Sequence, residues 1–415
     1  MLFFVDAVFF SPLFCAGKAR FSMKSVVFDK FFLYGRRFLT FHFLKCIVES
    51  NRLTTMSLYR FAAWQLCADG FFQGPTEGWR YIMEHQIKRI GVLTSGGDAP
   101  GMNAAVRAVV RSAVGRGIDC IGIRRGWNGL INSDFIHMNA SSVSHIINKG
   151  GTMLYTARSE EFMGPAGRAK ALATCKLLGL DGIVAIGGDG TFRGALALSR
   201  QAAETGQRLE VVGVPATIDN DIGCSHYTIG FDTACNTAVE CIDKLRDTMQ
   251  SHERCSVVEV MGRHAGYLAL YVGISVGATA VLIPERELDF ERDIVEKIRR
   301  ARLSGTTHYM IVVAEGVASA MDIAKRIQAE IGIDPRVTVL GHIQRGGAPS
   351  ARDRETASRM GYEAVKVLAE NRGNRIIATQ DGRIVDLDME EALQMVKSFP
   401  MERYQILESL SITQS

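Results

Sequence analysis

The apolar run Leu209-Glu210-Val211-Val212-Gly213-Val214 ends on Pro215 and leads into Ala216-Thr217-Ile218-Asp219-Asn220-Asp221. A short, Val-rich run without alternation reads as a strand buried on both faces, as in a parallel sheet covered by helices. Pro215 cannot donate to a ladder, so the strand is expected to stop there. A hydroxyl and two carboxylates are thereby delivered to the carboxyl end of a strand, where open α/β sheets hold their ligands. A carboxylate so placed can take a proton from a substrate hydroxyl. Asp is equally at home in turns and helix caps, so this loop alone leaves both readings open.

Further loops of the same kind shift the balance. Ile90-Gly91-Val92-Leu93-Thr94 reads as a strand that turns through Ser95-Gly96-Gly97-Asp98-Ala99-Pro100-Gly101 into a helix carrying Ala104 to Val114. Ile118 to Ile123 is a second strand, and Gly150-Gly151 opens a loop that carries Arg158 and Ser159. Asp181 to Ile186 leads into Gly187-Gly188-Asp189-Gly190-Thr191, with a helix expected from about Phe192 to Ala203. Glycines before a helix let backbone N–H groups approach a phosphate, and Asp189 offers oxygen to Mg²⁺. These units describe a doubly wound parallel sheet with phosphate-competent loops along one edge.

A second α/β unit follows. Thr233 to Met249 is an amphipathic helix, and Ser256 to Val260 is a strand ending in Met261-Gly262-Arg263-His264. Further strands are expected at Ala278–Pro284, Tyr309–Ala314 and Arg336–Leu340, with helices at Phe290–Leu303 and Ile323–Ile331. Glu315, His342 and Arg345 then stand at strand ends, beside Arg263. Asp353 to Leu368 reads as a last helix before closing elements.

Composition bounds the rest. At 415 residues there is room for two or three domains, and a formal charge of +4 implies no polyanion-binding surface. The nine cysteines show no metal-ligand spacing, which suits free thiols in a reducing cytoplasm. Residues 1–82 hold 15 of the 21 Phe but five of the 41 Gly, and they show no sustained periodicity. Met83 precedes the first patterned strand. The expectation is that Met83 is the physiological start and that residues 1–82 are disordered, translated upstream sequence rather than a targeting segment.

Five motifs in this order resemble the bacterial ATP-dependent 6-phosphofructokinases: Gly91 to Asn103, Ile186 to Thr191, Thr217 to Asp221, Met261-Gly262-Arg263, and Gly341 to Gly347. The resemblance covers residues 83–410. It implies two doubly wound α/β domains with mainly parallel sheets and the active site in the cleft between them. Residues 83–229 plus 342–393 would hold ATP, and residues 230–341 plus 394–415 would hold fructose 6-phosphate. Gly97, Arg158, Ser159, Gly188, Asp189, Gly190 and Thr191 match nucleotide positions, with Asp189 on Mg²⁺. Thr217, Ile218 and Asp219 match the reacting loop, Asp219 being the base for the sugar's 1-hydroxyl. Met261, Gly262, Arg263, Glu315, His342, Ile343, Gln344 and Arg345 match the sugar-phosphate site. Arg254 and Arg336 match arginines supplied by a neighbouring subunit, which implies a homotetramer, with Arg158 and Arg254 neutralising the transferring phosphoryl.

Gly190 and Ala216 stand where pyrophosphate-dependent relatives carry Asp and Lys, so the resemblance favours ATP over pyrophosphate as donor. Arg107, Arg111 and Arg246 match effector-phosphate ligands, whereas Ala140, Ser304 and Thr306 replace basic residues there. Weak or altered control by ADP and phosphoenolpyruvate is therefore expected. A non-catalytic subunit of the same fold is the reading from another class, and Asp189, Asp219 and Arg254 argue against it.

Overall fold

The computed structural model describes residues 86–411, so the expectation for residues 1–82 lies outside the described residues. Strands run at β1 (Arg89–Ser95), β2 (Asp119–Ile123), β3 (Phe135–Met138), β4 (Gly182–Gly187), β5 (Glu210–Pro215), β6 (Cys255–Val260), β7 (Ala280–Leu282), β8 (Tyr309–Ala314), β9 (Arg336–Val339), β10 (Arg375–Gln380) and β11 (Arg383–Asp388). The larger sheet has the order β11-β10-β5-β4-β1-β2-β3, and the smaller one β7-β8-β6-β9. All pairings in the smaller sheet are parallel. In the larger sheet only the outermost strands, β3 and β11, run antiparallel.

The run of β4 shows why these segments pair as they do. All six of its residues are buried. Val184 and Ile186 join one core, while Ile183 and Ala185 join another on the opposite face. A period of two with both faces covered is what a central parallel strand requires. The first of those cores also takes in Val258, Val260 and Val312 of the smaller sheet, so apolar packing is continuous between the sheets. Helices Met102–Val114, Phe231–Ser251 and Ala351–Ala369 supply the layer between them. Asp353 anchors that layer. Fully buried, it accepts hydrogen bonds from Tyr227 Oη, the Gly230 and Thr233 N–H groups, and Thr233 Oγ1.

Several boundaries differ from the sequence reading. Pro215 is the last residue of β5 rather than the first beyond it, and Ala216 N–H still donates to Gly187 O at 2.9 Å. The proline is tolerated because β10 pairs only with Val212 and Gly213, leaving no ladder bond for its missing N–H to make. The helix expected from Phe192 begins at Asp189, so Asp189, Gly190 and Thr191 form its first turn rather than a loop. An acidic residue there complements the helix dipole. The segment expected as one helix from Phe290 opens with a π-helical turn, Glu291–Val295. The closing elements prove to be the β10–β11 hairpin, whose turn holds Asp381 and Gly382 at φ 48° and 74°. Asp-Gly between two apolar runs is the readable signal for such a hairpin. The described cysteines, Cys120, Cys175, Cys224, Cys235, Cys241 and Cys255, are all free thiols.

Candidate active site

β1 lies between β4 and β2, so the strand order reverses at its carboxyl end, and a crevice opens there. The loops on either side are drawn tightly together. Thr191 Oγ1 donates to the Ser95 carbonyl at 3.1 Å, and a Cβ on Gly187 would stand 2.4 Å from that oxygen. Gly96 adopts φ 91°, and its carbonyl accepts from Thr156 Oγ1 at 2.7 Å. Thr94 Oγ1 donates to Tyr155 O at 2.9 Å. These bonds fix the loop that carries exposed Arg158, and the Ser159 hydroxyl caps helix Glu160–Met163 by accepting from Phe162 N–H. Gly188 is extended ahead of helix Asp189–Glu204, leaving its first N–H groups at the crevice. A Cβ on Gly190 would meet no atom within 4 Å.

Beyond β5 the chain places Asp219 almost out of solvent, at 6% exposure, with Oδ1 lacking a hydrogen-bond partner among the described residues. Its N–H donates to Thr217 Oγ1 at 3.2 Å, and the Thr217 carbonyl accepts from Thr228 Oγ1 at 2.7 Å. Burial, with the Asp221 carboxylate second, pushes the Asp219 carboxyl up to about 6; Arg345 and Arg263 pull against this, while Glu315 adds to it. Burial and Asp221 likewise raise Asp189, with Arg193 opposing. Asp221 thus acts on both carboxylates, which places the Asp189 helix and the Asp219 loop beside one crevice.

The smaller sheet faces that crevice with its carboxyl ends. Glu315, after β8, accepts from Gly262 N–H at 3.2 Å and Arg263 N–H at 2.7 Å, and this holds the loop after β6. Gly262 takes φ 141° and Arg263 φ 59°, with the Arg263 side chain exposed. After β9 the expected loop Gly341 to Gly347 is a 3-10 helix, Gly341–Arg345. There His342 and Ile343 are exposed, whereas Gln344 is fully buried and accepts from Met261 N–H at 2.9 Å. Arg345 reaches the loop after β1. A Cβ on Gly97 would stand 2.7 Å from its Nη1.

Two expected residues lie apart. Arg254 precedes β6 and Arg336 opens β9, both at the amino ends of strands whose carboxyl ends carry the site. Six residues of β6 put Arg254 roughly 20 Å from the site, and four residues of β9 put Arg336 roughly 13 Å from it. Of the three effector candidates, Arg107 and Arg111 lie four residues apart on helix Met102–Val114, while Arg246 donates to the Val276 carbonyl.

The phosphofructokinase family profile matches residues 89–368. The chain belongs to the phosphofructokinase family. It is 50% identical over 325 residues to the ATP-dependent 6-phosphofructokinase of Clostridium botulinum strain Hall, covering 78% of this chain and 100% of that protein. With the ATP-dependent 6-phosphofructokinase of Alkaliphilus metalliredigens it shares 51% over 326 residues, 79% of this chain and 100% of the relative. Among solved structures, phosphofructokinase from Saccharomyces cerevisiae superposes with a TM-score of 0.74 at 33% identity, over 78% of this chain and 50% of that one.

Within this phosphofructokinase fold, sequence reading assigned no role to Asp221, Asp353 or Lys397. Asp221 was visible as a second acid in the Thr217–Asp221 loop. Asp353 and Lys397 carry no local signal, because their partners lie more than 100 residues away in the chain.

Proposed function

We propose that the protein is an ATP-dependent 6-phosphofructokinase, which transfers the γ-phosphoryl of ATP to the 1-hydroxyl of fructose 6-phosphate. The observation that carries this reading is Asp219: a buried carboxylate with a free oxygen, set between phosphate-competent glycine loops and two arginines. Asp219 takes the hydroxyl proton on Oδ1, and burial that raises its basicity helps it to do so near neutral pH. Thr217, whose hydroxyl holds the Asp219 N–H, positions the loop. Phosphoryl transfer needs positioning and electrostatic help more than covalent chemistry. Gly97, Gly188, Gly190 and Thr191, with Arg158 and Ser159 at the rim, would hold the nucleotide. Met261, Gly262, Arg263, Glu315, His342, Ile343, Gln344 and Arg345 would hold the sugar phosphate.

No group of three or more His, Cys, Asp or Glu side chains among the described residues forms a metal cage. Mg²⁺ needs none, since it keeps several waters and binds one or two carboxylates together with substrate phosphates. Asp189, with Asp221 acting on it, fits that demand. When bound, Mg²⁺ neutralises charge on the phosphate oxygens.

The open space at Gly190 supports a nucleotide donor. The distant placement of Arg254 and Arg336 supports their supply from a neighbouring subunit, hence a homotetramer. Residues 83–229 plus 342–393 form the ATP side in this reading, and residues 230–341 plus 394–415 the sugar side. No helix among the described residues is long and apolar enough to cross a membrane; a cytoplasmic, glycolytic setting follows from the reaction itself. The test is an aldolase-coupled assay with fructose 6-phosphate and either ATP or pyrophosphate. Turnover with ATP alone is expected, and turnover with pyrophosphate alone overturns the reading.

A further inference from the structure

The segment between helix Met389–Ala392 and helix Met401–Ser411 lies directly on the loop that carries Asp219. At Gly223 the two backbones come so close that a Cβ would stand 1.9 Å from the Met395 carbonyl oxygen. From this strap the Lys397 ammonium donates to the Asn220 carbonyl at 2.8 Å and the His226 carbonyl at 3.3 Å. Asn220 is the residue between Asp219 and Asp221. It is buried and holds φ 51°, a left-handed conformation that asparagine tolerates better than most residues and that sets the direction of the turn. The Thr228 hydroxyl, whose proton goes to the Thr217 carbonyl, lies 3.3 Å from the Asn220 side-chain oxygen, and Lys397 supplies the bond to the Asn220 backbone.

The same lysine touches the smaller sheet's half of the molecule. Its ammonium stands 4.9 Å from the centre of the Tyr267 ring, and Tyr267 Oη donates to the Lys397 carbonyl at 3.3 Å. Tyr267 opens helix Tyr267–Ser275, a few residues after Arg263. Burial pulls the Lys397 ammonium down to about 8, while Asp221 and then Cys224 hold it up, so Asp221 is its carboxylate neighbour.

We propose that Lys397 is a positioning residue for the transfer, pinning the Asp219–Asn220–Asp221 turn from the C-terminal strap and tying that turn to the Tyr267 helix. It acts through Asn220, and so it sets where the base sits rather than how substrates bind. The inference rests on Asp219 being the base.

The test compares Lys397→Met and Lys397→Gln with the parent enzyme, using full chains and measuring kcat, both KM values and Tm. A misplaced catalytic group costs up to about 100-fold, so Lys397→Met is expected to lose about 10- to 100-fold in kcat, with KM values within about three-fold of the parent. Lys397→Gln, which keeps a donor, is expected to recover part of the loss and serves as the test if Lys397→Met fails to fold. A folded variant with kcat within about two-fold of the parent, or a loss confined to KM, overturns the assignment. If Asp219→Asn retains the parent's kcat, the reading of the base fails and the Lys397 assignment falls with it, whereas a kcat loss at Asp219 with none at Lys397 overturns the Lys397 assignment alone.

Discussion

Arg345 Nη1 donates to the Asp98 carbonyl at 3.1 Å, joining residues 247 positions apart. The bond ties the 3-10 helix after β9, on the smaller sheet, to the glycine loop after β1, on the larger one. Arg345 also faces Asp219, whose carboxyl it holds down against burial. One guanidinium therefore both links the two loops and sets the charge beside Asp219.

Replacing Arg345 with Met should consequently do two things. KM for fructose 6-phosphate should rise at least about ten-fold through loss of a charge-assisted contact. The acid limb of kcat/KM should also move to higher pH, because an opposing positive charge has gone. Steady-state kinetics across pH 5 to 8, buffered at constant ionic strength, reads both effects.

Asp219→Asn should lose about 10²–10⁴ in kcat while still binding fructose 6-phosphate. Its stability should change in the opposite sense. The folded-state carboxyl is raised from 3.8 to about 6, so the ionised form penalises folding fully above pH 6 and not at all below about 4. Removing the charge should raise stability at pH 8 by on the order of 3 kcal/mol, with little gain at pH 4. Thermal unfolding of the two proteins at both pH values checks the sign.

For the parent enzyme, kcat/KM should fall on the acid side with a pKa near 6, because burial and Asp221 push the Asp219 carboxyl up to about 6. An unperturbed Asp would keep that limb near pH 4. An acid limb below pH 5 would remove Asp219 from the role of a buried base.

Gly187→Ala tests the joint between β1 and β4. The new methyl would meet the Ser95 carbonyl at 2.4 Å and Thr191 Oγ1 at 2.5 Å, and a backbone oxygen held in a ladder cannot withdraw cheaply. A loss of about 1–3 kcal/mol in stability is expected. A raised KM for ATP should accompany it, because the helix that starts at Asp189 shifts with the joint. Chemical denaturation and nucleotide kinetics read the two effects separately.

Control by phosphoenolpyruvate should be weak. Arg246 is engaged with the Val276 carbonyl, and Ala140, Ser304 and Thr306 offer no cation to an effector phosphate. Half-inhibition is expected only at concentrations well above micromolar, as measured by titration of initial rates.

The local pattern of the chain determined much of this. Apolar runs closed by glycine or proline announce β1, β4, β5, β6 and β8, because a buried parallel strand has a compositional signature and a tight turn needs particular residues. The same logic put Asp189, Asp219, Arg263 and Glu315 at strand ends. It lost the edges: β3 has only four residues and β11 is partly exposed along its whole length, so they lack that signature, and the helix beginning at Asp189 takes up residues that read as a loop.

The sequence alone therefore determined which residues stand at carboxyl ends of strands, since that follows from spacing along one chain. Only the tertiary structure decided which ends meet. Asp221 acts on Asp189, Arg345 crosses to Asp98, and Lys397 reaches back to Asn220, all through contacts between distant parts of the chain. Such contacts depend on how two sheets and the helices between them pack, and no short-range pattern encodes that packing.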